Sequence, residues 1–387
     1  MRTLIELYDS TPIRNVLSAI MFRPQEMILI CPPEVADDPN EKRSLRDFFA
    51  YLNCPVKLTL IPVTLLDAGK TGRVLREVLE SHQDCAIDIS GGTDAALFAA
   101  GVVSGETPVF TYSRRKNAFF EIHNAPFARN LPCDVRLDVS SCLMMAGGTL
   151  LPGRTENAGL AEKADQIDRL FSIYSAFRAQ WNRQISYIQK ISDAEPGSLK
   201  AGGPLTKKAG NKKVAADMEF FRALEQAGLI LNLRQTEDSV SFRFPDETVR
   251  FWLRDIGAVL ELQVFRACRA AGCFDDVVLS AVVNWQSGKI RSDSVTNEID
   301  VMAVQGIQPV FISCKTCEVH TDALNELAIL RDRFGGAFAR AILVTSGMTE
   351  KTREPVRRRA DKLGIELVEW EDVNLESLTS RLRNQDG

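Results

Sequence analysis

The sequence predicts an α/β protein with two sheet-bearing domains and a mainly helical segment between them. Three observations point there. Residues 1–155 alternate short apolar runs with amphipathic stretches, the order that a mostly parallel sheet with crossover helices requires. Residues 156–245 change to helical spacing, interrupted by a stretch rich in Gly, Pro, Ser and Lys. Residues 246–387 return to an α/β order. At 387 residues the chain is long enough for two or three domains, each burying its own core.

LIELY (4–8) opens as a strand, VLSAIM (16–21) as a short helix and MILIC (27–31) as the next strand. KRSLRDFFAYL (42–52) is amphipathic, KLTLIPV (57–63) is a strand and VLREVLESH (74–82) a helix. AIDIS (86–90), DAALFAAGVV (94–103) and TPVFTY (107–112) continue as strand, helix, strand, which makes the unit Rossmann-like; LDVSSCLMMAGGTLLPG (137–153) closes it. Leu170, Ile173, Phe177 and Trp181 then fall near helical spacing. Residues 192–213 read as a flexible surface loop. MEFFRALEQAGLI followed by SVSFRF reads as a helix and a small hairpin, winged-helix-like. In the last domain RFWLRDIGAVLELQVFRACRAAG is helical, and NEIDVMAVQGIQPVFISCKT (297–316) is two strands around a turn at Gly306.

Charged residues at 25% and hydrophobic ones at 45% are ordinary for a soluble globular protein. A net charge of −4 argues against non-specific, charge-driven binding to nucleic acid. The nine cysteines are scattered, and MRTLIELYDS lacks a basic region followed by a long apolar run. Reduced thiols and a cytoplasmic protein are expected. No apolar run reaches the roughly 18 residues of a membrane span, so no membrane partner is expected.

The 297–316 hairpin carries the main chemical signal. Alternate strand residues share a face, so Asp300 and Met302 fall together, as do Phe311, Ser313 and Lys315. Pairing the arms brings Asp300 towards Lys315, and Glu261 sits in the helix before them. Two carboxylates can hold Mg²⁺ or Mn²⁺, and a lysine can orient water or stabilise a phosphate transition state. The plain alternative is a surface ion pair at a strand end. CKTC (314–317) has zinc spacing, but no second pair completes four ligands.

A second signal lies at the first domain's loops. Ser90, Gly91, Gly92 and Thr93 form a Gly-rich turn before a helix, where backbone N–H groups favour an anion. Ser10, Thr11, Pro12 and Asn15 follow the first strand, and in a doubly wound sheet both loops sit at the carboxyl edge. Arg114, Arg115 and Lys116 follow a later strand and offer phosphate contacts. A tight turn or a simple helix cap is the alternative for the glycines. DAGKTG (67–72) lacks the upstream glycine of a P-loop, and the Gly-rich turn lacks the dinucleotide fingerprint.

Glu261, Asp300 and Ser313-Cys314-Lys315 resemble the PD-(D/E)xK nuclease pattern, in which the lysine follows an acid by two positions. Ser313 stands where the second acid is usual; the resemblance offers Glu326 on the following helix, and after it Glu318, as the replacement metal ligand beside Glu261 and Asp300, with a nuclease of altered metal binding or an inactive one as the alternative. Together with the DSTPIRN loop, the SGGT turn, LELQVFRA, NEID and the FGG after SCKT, the chain resembles CRISPR ancillary nucleases. In these, a CRISPR-associated Rossmann fold (CARF) domain precedes a PD-(D/E)xK restriction-endonuclease-like domain. The resemblance implies a homodimer that binds a cyclic oligoadenylate, cyclic tetra-adenylate first among them, and then cleaves DNA or RNA with a metal in antiviral defence. Asp94 departs from it, since Lys is common after the GGT. Two other readings stay open: a non-catalytic sensor of cyclic oligoadenylate acting through nucleic-acid binding, and a DNA-repair nuclease with no nucleotide activator.

Overall fold

The computed structural model describes residues 1–151, 159–192, 197–209, 212–286, 294–370 and 373–383. Its N-terminal part is Rossmann-like. In order come β1 (Thr3–Leu7), α1 (Leu17–Phe22), β2 (Glu26–Cys31), α2 (Pro33–Ala36), α3 (Pro39–Tyr51) and β3 (Lys57–Pro62). They are followed by α4 (Ala68–Ser81), β4 (Cys85–Asp88), α5 (Asp94–Val103), β5 (Val109–Ser113), β6 (Ala118–His123) and β7 (Leu131–Pro132). The sheet order is β3-β2-β1-β4-β5-β6-β7. β1 to β5 are parallel and β6 and β7 antiparallel. Order reverses at β1, so the crevice between the carboxyl ends of β1 and β4 is where such sheets take ligands.

Local chemistry explains these elements. α4 begins earlier than its apolar spacing indicates, because the Asp67 carboxylate caps it by accepting the Lys70 N–H at 2.9 Å. The Gly-Lys-Thr-Gly of the rejected P-loop is therefore helix. β6 went unread because it begins just after the Arg114–Lys116 turn, which Asn117 closes in the left-handed region at φ 45°.

α6 (Val139–Met145) and β8 (Thr149–Leu150) correct one expectation. The stretch read as closing the first unit places β8 in the other sheet, where Leu150 and Thr149 pair with Val283 and Asn284. Gly148 permits the crossing, since a Cβ there would meet the Phe334 ring and the Asn284 carbonyl.

The middle part comprises α7 (Ala164–Ala176), α8 (Arg178–Ser192), β9 (Lys200–Pro204), β10 (Thr206–Ala209), β11 (Lys212–Ala215), α9 (Met218–Gln226), β12 (Leu231–Gln235) and β13 (Ser239–Arg243). α9 with the sheet β12-β13-β9 gives the winged-helix-like unit. The flexible loop expected over 192–213 is a second correction, although 193–196 and 210–211 lie outside the described residues. Gly202 and Gly203 serve close approach rather than freedom: a Cβ on Gly203 would come 2.8 Å from Ile191, and one on Gly202 3.1 Å from Ser241. The small residues let β9 pair along β13.

The C-terminal part runs α10 (Glu247–Trp252), α11 (Ala258–Ala271), β14 (Asp276–Asn284), β15 (Thr296–Gln305), β16 (Gln308–Lys315) and α12 (Thr321–Phe334), then β17 (Arg340–Thr345), α13 (Glu350–Leu363), β18 (Glu366–Val368) and α14 (Leu375–Arg383). Its sheet order is β18-β17-β16-β15-β14-β8, antiparallel through β14–β16 and parallel from β16 to β18. Both faces of the hairpin are core. Met302 and Phe311 pack under α12, while Val301, Val310, Ile312 and Cys314 pack under α11. Among the described residues no helix is long and apolar enough to cross a membrane.

Candidate functional site

The acid and lysine of the hairpin sit where two strands part. β15 and β16 pair from the Gly306 turn up to Val301 opposite Ile312. Beyond that point β16 continues beside β17, with Ser313 opposite Leu343 and Lys315 opposite Thr345. On its other side Asp300 lies between two ladder pairs, Leu279–Val301 and Ala281–Ile299, and the intervening Ser280 takes φ 50°. The Asp300 carboxylate fills the gap. It accepts the Cys314 N–H at 2.6 Å and the Ser313 hydroxyl at 3.1 Å, and lies 3.7 Å from Lys315 Nζ. A carboxylate thus replaces a ladder acceptor at the notch, so an acid sits in a hairpin whose two faces are otherwise core.

Glu261 reaches this notch from the first turn of α11, where a helix N-terminus favours an acid. Burial, then the negative charges of Asp300, Asp255 and Glu298, push its carboxyl up to about 8, with Lys315 acting the other way. Gly257, at the helix start, leaves room beside it; a Cβ there would come 2.8 Å from Glu261 Oε1 and 3.5 Å from Asp255 Oδ1. Glu261, Asp300, Ser313 and Lys315 are therefore brought together. Glu326 lies on α12, across the sheet from α11, and its carboxylate accepts the Asn297 side-chain amide at 2.9 Å. Asp255 and Glu298 were missed as members of the cluster. Neither has a spacing rule linking it to Glu261, although Glu298 sits two residues before Asp300. In CKTC, Cys314 is buried and its thiol is held far above its usual range by that burial, while Cys317 is exposed.

At the N-terminal switch point a cavity of about 420 Å³ opens beyond β1, β2, β3 and β4. Ser10, Gly92 and Thr93 line it, together with Tyr8, Asp9 and Leu66. Gly92 has φ +107°, and a Cβ on it would come 2.9 Å from Leu7, so the turn requires glycine. Gly91 is equally confined, 2.9 Å from the Asp9 side chain by the same measure. Thr93 caps α5 by accepting the Ala96 N–H at 3.2 Å and donates to the Leu65 carbonyl at 2.6 Å. Asn15 is buried and grips the Asp9 backbone with bonds of 2.7 and 2.8 Å. Thr11 donates its N–H to Asp9, and Pro12 starts the short turn that follows. Ser90 donates its hydroxyl to the buried Asp88, whose carboxyl is pushed up to about 6 by burial. Arg114 and Arg115 line a different, larger cleft beside the Gly306 turn, with Lys116 ending the same short turn.

The family model described as "Card1-like, endonuclease domain" matches residues 245–386, which contain the whole Glu261–Asp300–Lys315 cluster. Across the full length, the fold is similar to that of protein VC1899 from Vibrio cholerae, at 19% identity, TM-score 0.75, covering 98% of this chain and 97% of that one. It is also similar to Can2 from Sulfobacillus thermosulfidooxidans, solved in complex with cyclic tetra-adenylate, at 17% identity, TM-score 0.69, covering 99% and 98%. No curated protein matches the chain by sequence.

Do the residues of the endonuclease domain suit a divalent metal? Among the described residues no three His, Cys, Asp or Glu side chains converge tightly enough to enclose one. Mg²⁺ and Mn²⁺ sites in phosphoryl chemistry do not need that, since one or two carboxylates suffice when water and substrate phosphate complete the shell. An acid raised by burial and then by three neighbouring acids, and countered by one lysine, is a donor set short of positive charge. The set fits a hard cation.

Proposed function

We propose that the chain is a metal-dependent endonuclease of PD-(D/E)xK type, switched on by a cyclic oligoadenylate, cyclic tetra-adenylate in particular, in type III CRISPR antiviral defence. The observation that carries this reading is the meeting of Glu261, Asp300 and Lys315 at one strand divergence inside the Card1-like domain. Glu261 and Asp300 would hold Mg²⁺ or Mn²⁺. Bound there, the cation would neutralise phosphate charge and make water a better nucleophile. The chain's own groups do the rest. Ser313 and the Cys314 N–H fix the Asp300 carboxylate, and Lys315 places a positive charge beside the reacting phosphate.

The cavity at the switch point is the proposed activator site, and residues 1–155 the sensing domain. Support comes from its position at the carboxyl ends of β1 and β4 and from the likeness in fold to Can2. We read the active form as a homodimer. Leu66, Phe98 and Val102 are 79%, 69% and 63% exposed, and Leu66 also lines the cavity. A ligand with rotational symmetry suits a site on the two-fold axis that such a face would create.

The test is to incubate the protein with Mn²⁺ and labelled single- and double-stranded DNA and RNA, with and without cyclic tetra-adenylate. Cleavage that needs both metal and activator is expected. Equal cleavage without the activator removes the switch, and no cleavage of any substrate removes the nuclease.

A further inference from the structure

We infer that Asp9 holds Arg14 in a resting latch against Phe338, and that a phosphate entering the cavity opens this latch and so signals to the endonuclease domain. The inference rests on reading the cavity as the activator site.

Asp9 lines the cavity, and its carboxylate accepts from the Thr11 N–H at 2.8 Å, the Arg14 guanidinium at 3.1 Å and the Gly92 N–H at 3.4 Å. Two backbone donors and a guanidinium are the set a ligand phosphate oxygen would seek. The chain's own anion therefore occupies it, and a phosphate must displace Asp9 to bind there.

Arg14 also faces the other domain. Its guanidinium carbon lies 5.7 Å from the centre of the Phe338 ring, and that of Arg114 lies 5.2 Å from the same ring. Arg114 donates to the Ala337 carbonyl. Phe338 closes the short 336–338 turn between α12 and β17. Thr11 packs on that turn, 3.5 Å from where a Gly336 Cβ would stand. The Phe338 carbonyl accepts from the Gln308 side chain at 3.0 Å, and Gln308 is the first residue of β16, which ends at Lys315. Cavity loop, ring and catalytic strand thus form one contiguous chain of contacts.

Two guanidinium groups on one ring repel each other, and Asp9 offsets that repulsion from the Arg14 side. A phosphate offers Arg14 a doubly hydrogen-bonded partner of equal or greater charge. Arg14 then turns into the cavity and leaves Phe338. Contacts that differ between two states are what allows a ligand to shift them, and the coupling is reciprocal. Removing the ring should favour the open state with or without ligand.

The experiment compares the full chain with Phe338→Leu, and with Phe338→Met as a second variant that refills the volume. Cyclic tetra-adenylate affinity is measured by calorimetry, and the activator-free cleavage rate in Mn²⁺. Both variants should bind about threefold tighter and cleave about threefold faster without activator, the factor expected for one partly exposed cation–π contact. Unchanged or weaker binding with an unchanged basal rate overturns the latch, because a ring that only fills space would loosen the site when removed. If the wild-type chain does not bind cyclic tetra-adenylate, the activator reading fails on its own. The basal rate then decides the latch: a rise supports it and no change overturns it.

Discussion

Replacing Glu261 by Gln should stabilise the metal-free protein while removing its response to metal. Glu261 is raised from 4.5 to about 8 by burial and by Asp300, Asp255 and Glu298. Between those values the folded protein keeps a proton that the unfolded chain releases. Stability must therefore fall as pH rises through the window, by about 1.4 kcal/mol per pH unit for one proton. From about pH 5.5 to about pH 7.5, both inside the window, the wild type should lose roughly 2–3 kcal/mol relative to Glu261→Gln. Gln has nearly the same shape and nothing to titrate. The buried Glu6 and Asp88, also raised, bend both curves alike, so the difference isolates Glu261. For a unit of the endonuclease domain's size this is roughly 5–11 °C in Tm. The assay is thermal unfolding of both proteins at the two pH values, with chelator and then with Mn²⁺. Mn²⁺ should raise the wild-type Tm at the higher pH and leave the variant unmoved. Parallel pH curves without metal would refute the argument that Glu261 is held protonated in an uncompensated acidic site.

Lys315→Ala and Asp300→Ala should each reduce cleavage by a hundredfold or more while leaving cyclic tetra-adenylate affinity within about twofold, since neither touches the cavity; full activity in either moves the chemistry elsewhere. Gly92→Val should lose activator binding, because φ +107° and Leu7 at 2.9 Å leave no place for a branched side chain; tight binding measured by calorimetry removes the turn from the site. Glu326→Gln should leave the Mn²⁺ dependence of cleavage within about twofold, because Glu326 is turned to Asn297 on the opposite side of the sheet from Glu261; a marked shift to higher Mn²⁺ would return it to the metal.

Much of the fold was legible because alternation and helical spacing are local. LIELY and MILIC are short apolar runs buried on both faces, which marks a strand of a covered parallel sheet without reference to anything distant. The Gly91-Gly92 turn was legible for the same reason: φ +107° at Gly92 is a conformation that side-chain-bearing residues rarely adopt. Where glycine served packing instead, the local reading failed. Gly202 and Gly203 looked like flexibility and turned out to admit Ser241 and Ile191.

The sequence by itself determined the alternating architecture and the residue types of the site, an acid on a helix and an acid and lysine on a hairpin. Only the tertiary structure decided that β15 and β16 part at Asp300, leaving a notch that a carboxylate can fill, and that Glu326 is taken up by Asn297. It also decided that β8 crosses to the second sheet, and that Asp9 and Phe338, far apart in the chain, meet the same arginine. The reason is physical. Periodicity records the burial of a residue's own face, whereas strand partners and like-charge clusters are set by which distant segment arrives there, and that leaves no local pattern.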